Sequence, residues 1–230
     1  MNVLVACEES QRVCMAFREK GHNAFSCDII DCSGGHPEWH IKEDVLKILN
    51  PTTKYDWNEV IEFTTVDGTE HTIEGKWDLI IAHPPCTYLA VSGNRWFNVE
   101  RYGDRARERI HQRELAVEFF MQFVNADCEH IAIENPIGHM STAYRKPDQI
   151  IQPFWFGDPE KKSTCLWLKN LPLLTPTNMV EPNLIKLGDG KTFGKWHYET
   201  LPLPKEERQK LRSRTFPGFA KAMADQWGNL

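Results

Sequence analysis

KWDLIIAHPPCTYLAVSG, residues 76–93, opens on an apolar run from Trp77 to Ala82 with β-branched Ile80 and Ile81 at its centre. That is the pattern of a strand buried on both faces of a parallel sheet. His83-Pro84-Pro85-Cys86 follows at once. Two prolines cannot continue a central strand, so the backbone leaves the sheet and presents Cys86 at or just beyond the strand's carboxyl end. In open α/β sheets ligands bind at that edge. Its thiol has two readings. It is a small buried hydrophobe, or it is a nucleophile set between a rigid turn and a loop carrying Ser92 and Gly93.

The chain before this stretch supplies the rest of a nucleotide-binding sheet. Residues 2–6 (NVLVA) read as a strand, 11–20 as an amphipathic helix closed by Gly21, and 24–29 as a second strand. That βαβ unit opens a doubly wound sheet. The turn after the first strand is Cys7-Glu8-Glu9-Ser10 and lacks G-x-G-x-x-G, so the dinucleotide fingerprint is absent. Asp28, at the end of the second strand, stands where an acid takes ribose hydroxyls. Asp44 precedes a short helix at 46–49 and either accepts from an adenine amino group or caps that helix. Residues 60–66 and 69–73, joined by Asp67-Gly68, read as a surface β-hairpin without chemistry of its own.

After the Cys86 loop, which the sequence extends over 88–102, a helix is expected over 103–125, its second half carrying the core positions. His130-Ile131-Ala132-Ile133-Glu134-Asn135-Pro136 is a further buried strand stopped by proline. Glu134 therefore emerges at the same sheet edge as Cys86. A carboxylate at the tip of an apolar strand needs a partner or a task. Asn135 fits as a helix cap. Lys162 and Thr164 lead a strand over 160–168 and, alternating, share one face. Residues 171–204 are rich in proline and turns, with Gly188-Asp189-Gly190 and the aromatic Trp196, and give no clear helix or strand. The end, 205–230, is helical and broken at Pro217-Gly218.

At 230 residues the chain suits one sizeable domain with a small appendage. Hydrophobic content of 41% and charged content of 26% are those of a soluble globular protein. No apolar run is long enough to span a bilayer, and the amino terminus enters a strand directly, so neither a membrane span nor a secretory signal is expected. Seven cysteines without C-x-x-C pairs point to reduced thiols and a cytoplasmic setting, and Cys27, Cys32, His36 and His40 fit no zinc spacing, so no metal is expected. Net charge is -5, which does not announce a nucleic-acid binder. Positive residues nonetheless gather after the Cys86 loop, among them Arg95, Arg101, Arg105, Arg107, Arg109 and Arg113, and again over 205–214. Each cluster is either a solvated face laced with ion pairs or a local clamp for phosphates.

Pro84-Pro85-Cys86 and Glu134-Asn135-Pro136, about fifty residues apart and each closing a buried strand, resemble the two central motifs of the DNA cytosine-C5 methyltransferases, in the order of that family. The chain looks like the short phage and prophage members of that family. The resemblance implies a doubly wound, mostly parallel α/β sheet of the S-adenosylmethionine-dependent methyltransferase type. It divides the chain into a catalytic domain, 1–170 plus 205–230, and a small recognition segment, 171–204. Cys86 and Glu134 would be catalytic, with Lys162 and Thr164 where the family has two arginines. Ala6, Cys7, Glu8, Ser10, Asp28, Ile29, Asp44, Val45 and Pro84 would hold S-adenosylmethionine or a derivative of it. Ser92, Arg95, Arg101, Arg105 and Trp196 would meet double-stranded DNA. The setting would be the cytoplasm of a bacterial or phage-infected cell.

The departures are the first turn, Glu-Asn-Pro for Glu-Asn-Val, and the missing arginine pair. The short recognition segment implies a short or loosely read site, a helper subunit or self-association. The chemistry needs a thiolate to add to cytosine C6 and a carboxyl group to donate to N3, so Glu134 is expected to have a raised pKa. Two other functions fit the same residues. One is transfer to a free pyrimidine nucleotide, or from a donor with a modified one-carbon group such as carboxy-S-adenosylmethionine. The other is a binding module without catalysis.

Overall fold

A computed structural model describes residues 1–53, 59–188, 190 and 192–229; Asp189 of the expected turn and Leu230 of the last helix lie outside them. The chain begins β1 (Asn2–Ala6), α1 (Arg12–Glu19), β2 (Asn23–Asp28), β3 (His40–Lys42), β4 (Thr52–Thr53), β5 (Glu59–Thr64), β6 (Glu70–Glu74) and β7 (Leu79–Ala82). Next come α2 (Val99–Tyr102), α3 (Asp104–Val124), β8 (His130–Pro136), α4 (Met140–Ala143), β9 (Gln149–Ile151) and β10 (Thr164–Lys169). The chain ends with β11 (Leu184–Lys186), β12 (Thr192–Gly194), α5 (Lys195–Glu199), α6 (Lys205–Ser213) and α7 (Pro217–Trp227).

Seven strands form one sheet in the order β3-β2-β1-β7-β8-β10-β9. The first five neighbours run parallel, and β10 is antiparallel to both β8 and β9. This is the mostly parallel α/β sheet expected from the sequence. From β1 the chain goes to β2 on one side, and later returns to β7 on the other. The strand order therefore reverses between β1 and β7, and their carboxyl ends flank the crevice where such sheets bind ligands.

Alternate residues of the central strands serve opposite faces. Val3, Val5, Leu79, Ile81 and Ala132 pack with Val13 and Phe17 of α1 and Phe219, Met223 and Trp227 of α7. Leu4, Ala6, Ile80, Ala82, Ile131 and Ile133 pack with Phe120 and Phe123 of α3. The reading of α1 holds to within a residue at each end. Gly21, with φ 83°, accepts the left-handed geometry that closes the helix, and its N–H bonds Arg18 O.

Four expectations change. The hairpin is not a surface excursion: β4, β5 and β6 make a three-stranded antiparallel sheet whose Ile61, Phe63 and Ile73 are buried in the core. Phe63 meets Phe25 edge-on at 4.9 Å and stacks on Trp77 at 5.8 Å, so this small sheet covers the central one beside α3. Residues 88–102 are not one loop; Val91–Phe97 form a 3-10 helix that leads into α2. The break in the C-terminal helical stretch falls at 214–216, just before the expected Pro217-Gly218, and Pro217 starts α7, where its missing N–H costs nothing. Finally, 171–204 contains β11, β12 and α5, and its first residues belong to the main body: Leu174 is 1% exposed, and Trp227 Nε1 donates to Pro172 O at 3.0 Å. Among the described residues, no helix is long and apolar enough to cross a membrane.

Candidate active site

Strand register brings the two proline-stopped motifs together. Ala82 of β7 pairs with Ile133 of β8, so the next residues, His83 and Glu134, leave adjacent parallel strands at the same level and on the same face. His83 Nδ1 lies 3.0 Å from Glu134 Oε2, with both side chains 11% exposed. Glu134 Oε1 faces Lys162 Nζ at 4.0 Å, and Lys162 also donates to Arg212 O at 3.0 Å. On the β1 side His83 is near Glu8, whose two oxygens accept from Val13 N (2.7 Å) and Cys14 N (3.1 Å) in the first turn of α1. Glu8 thus caps a helix that Gln11, in left-handed backbone, does not.

The electrostatics correct one expectation. Burial alone pushes the Glu134 carboxyl up, as the sequence implies, but His83 and Lys162 outweigh it and hold the carboxyl below its ordinary range. For His83 burial pulls downward as the largest single influence, while Glu134 and then Glu8 pull harder together and raise it. Both shifts favour an imidazolium facing a carboxylate over the neutral pair. Glu8 shifts the other way, upward, because its burial dominates.

Cys86 is exposed and shares this environment. Desolvation of its sulphur pushes the thiol up, Lys162 draws it down, and Glu134 adds a smaller upward push. Exchanging Lys162 for Met should therefore slow iodoacetamide alkylation of Cys86 at pH 8 by a factor of a few, and shift its pH midpoint upward. Equal alkylation rates in the two proteins would show that the ammonium does not act on the thiol.

The loop carrying Cys86 is tied down at several points. Asn135 is no helix cap: it lies in β8, 3% exposed, and its Nδ2 donates to Pro84 O at 2.8 Å, linking one motif to the other. Arg109 donates to Thr87 O at 2.9 Å and Arg113 to Tyr88 O at 3.1 Å. Both guanidinium groups also cover the Phe97 ring. Two members of the arginine cluster thus hold the loop from α3. Leu89 and Ala90 lie against Gly138, where a Cβ would run into the Leu89 carbonyl oxygen. Gly138→Ala should cost about 1–3 kcal/mol in a urea melt through overpacking. It should also make Cys86 alkylation faster by loosening the loop. An unchanged melt would mean that the contact yields freely.

The residues read as donor-binding divide into two groups. Cys7, Asp28 and Asp44 lie close enough to influence one another at the carboxyl ends of β1, β2 and β3, and Glu9 acts on Asp28. Ile29 is 72% exposed beside them, an apolar surface that the fold itself does not bury. Ala6 and Val45 are core residues, the Pro84 carbonyl is taken by Asn135, and Ser10 is buried. Of the two readings of Asp44, capping is seen: its Oδ1 accepts from Leu46 N at 3.0 Å, over a 3-10 turn at Val45–Lys47. The Thr164 hydroxyl is turned to the Lys162 carbonyl at 3.4 Å, which leaves Lys162 alone to face Glu134.

Ser92, Arg95, Arg101 and Arg105 are exposed on the segment after Cys86. Trp196 is elsewhere, half-buried edge-on to Phe216 at 5.3 Å, lining a cavity of about 320 Å³ with Arg12, Asp158, Glu160 and Arg214. Among the described residues no His, Cys, Asp or Glu cluster is arranged to hold a metal ion. The sequence reading gave no role to His83 and none to Glu9, which is buried near Lys210 Nζ (3.9 Å) and Arg214 Nε (3.6 Å). The signal for His83 was available: it stands one residue past its strand, as Glu134 stands one residue past the part of β8 that pairs with β7. No protein-family model and no curated protein matches this chain.

Proposed function

We propose that the protein is a DNA cytosine-C5 methyltransferase acting on a base turned out of the duplex. The observation that carries this reading is the convergence of an exposed thiol, Cys86, with a buried carboxyl group, Glu134, and an ammonium, Lys162, at the carboxyl edge of a parallel sheet. A thiol for C6, a proton-bearing group for N3 and a cation for the neighbouring carbonyl are what the chemistry requires.

S-adenosylmethionine, when bound, supplies the methyl group taken by C5. The residues fit it: Asp28 offers a carboxylate to ribose hydroxyls, exposed Ile29 offers an apolar surface to a flat ring, and the turn at Cys7–Glu9 adjoins both. The Cys86 thiolate forms the S–C6 bond, and Glu134 gives N3 a proton as electrons move from C5=C6 toward that nitrogen. Lys162 offsets charge on the ring oxygen. After transfer, C5 loses its hydrogen as a proton to solvent, the electrons of that bond re-form C5=C6, the S–C6 bond breaks and the thiolate returns. Ser92, Arg95, Arg101 and Arg105 stand exposed on the segment after Cys86 and suit the phosphates flanking an everted base. The test is a duplex carrying 5-fluorocytosine, incubated with protein and donor: an adduct resistant to denaturant is expected, and its absence from folded protein would refute the reading.

One observation favours a variant of this reading. Lys210 and Arg214 bring two cations to the single carboxylate of Glu9, next to the proposed donor site. That leaves one positive charge for a donor bearing a carboxylate on its transferred group. Mass spectrometry of nucleosides from treated DNA separates the two: a gain of one methyl excludes the variant.

A further inference from the structure

We propose that the proton which Glu134 delivers comes from His83, so that the two residues work as a single proton-carrying pair. The inference rests on the methyltransferase reading for its chemistry, and on geometry for the pair itself. His83 Nδ1 is 3.0 Å from Glu134 Oε2, both side chains are 11% exposed, and bulk water therefore has little access to either. The surrounding charged groups leave His83 as the source. Glu8, from the turn after β1, has both oxygens engaged by α1. Lys162, ahead of β10, is 4.0 Å from Oε1 and anchored to Arg212 O. Cys86, after β7, is exposed and reacts as the thiolate, so its own proton has already gone to solvent and does not reach N3. His83 Nε2 and Glu134 Oε2 have no hydrogen-bond partner among the described protein atoms, so the 3.0 Å approach of Nδ1 to Oε2 is a charge contact that a small turn of either side chain brings into line for proton transfer.

With His83 protonated, the pair is an imidazolium beside a carboxylate 3.0 Å away. A base seated against Glu134 displaces water, which disfavours the separated charges relative to neutral imidazole and neutral carboxyl. The Nδ1–H bond breaks as an O–H bond forms on Glu134. The carboxyl then passes that proton to N3 while the thiolate adds to C6. Before addition the charges are +1 on His83, -1 on Glu134 and -1 on sulphur. Afterwards only the Glu134 carboxylate is charged, so the sum of -1 is preserved. When the S–C6 bond breaks, the proton returns along the same path. His83 is thus a positioning and proton-holding residue that acts through Glu134.

The first test does not depend on activity. In protein labelled with nitrogen-15 at histidine, the His83 ring should titrate above the ordinary histidine range, and Glu134→Gln should bring it below that range, since burial is then the main remaining influence. An unshifted titration, the same in both proteins, would overturn the proposal. The second test follows adduct formation on the fluorocytosine duplex for His83→Asn. The variant should be about 100-fold slower than the native protein at pH 8. The ratio should narrow to a few-fold near pH 5.5, where Glu134 takes its proton from solvent. An equal loss at every pH would mark a structural role and also overturn the proposal. Should the variant not fold, or should native protein form no adduct, the Glu134→Gln titration decides by itself whether the proton is shared.

Discussion

Cys86→Ser should eliminate the denaturant-resistant adduct and lower turnover by about three orders of magnitude or more, because a serine hydroxyl in this site lacks an adjacent base to ionise it. His83 is occupied by Glu134, and Lys162 faces Glu134 and donates to Arg212 O. The fold should be indifferent to the change, since Cys86 is exposed and outside both core clusters. Duplex affinity should persist as well, because the exposed arginines after Cys86 are untouched. Measured together, adduct yield, melting midpoint and duplex binding give an unambiguous pattern: the first lost, the other two kept. Retained turnover in the serine variant would remove covalent catalysis from the account. A native protein whose biological effect survives the substitution would instead be a binding module.

Glu134→Gln should slow adduct formation by about 100-fold to 1,000-fold, as expected when one group that meets developing charge is replaced by a donor unable to part with a proton. It should also leave a signature in stability. Glu134 has a lowered pKa, so its ionised form stabilises the fold above the ordinary value of 4.5, and that contribution is lost as pH falls through the lowered value. His83 has a raised pKa, so its protonated form stabilises below 6.5, and that contribution is lost as pH rises through the raised value. Both contributions are complete together only between about pH 4.5 and 6.5. In urea melts the native protein should exceed the variant by about 3 kcal/mol at pH 5.5, the order found when a buried ion pair loses one partner. The gap should shrink once the pH passes the raised His83 value, since His83 is then neutral in both proteins. A gap independent of pH would mean that Glu134 contributes by packing.

These two residues also show how far a sequence alone reaches. The apolar runs ending in Pro84-Pro85 and in Pro136 were enough to locate two buried strands, because burial on both faces demands continuous apolar residues and proline ends a ladder. Parallel strands leave the sheet at one edge, so Cys86 and Glu134 could be assigned to a common rim without coordinates. The βαβ opening and Gly21 were legible for similar local reasons.

Other features depend on which residues meet across the fold, and no local pattern carries that. Alternation in β5 and β6 is the same for a surface hairpin and for one laid over a core; Phe25 and Trp77, distant in sequence, are what bury Phe63. Asp44 reads equally well as a cap or a ligand until its oxygen is found on Leu46. The protonation of Glu134 is the sharpest case. From its own strand, burial pushes the carboxyl up, whereas the β7–β8 register supplies His83 and the β10 approach supplies Lys162, and their combined charge reverses the sign. Strand ends are written in single segments of chain. The field at a carboxyl group is a sum over neighbours from several segments, and only the folded arrangement fixes their distances.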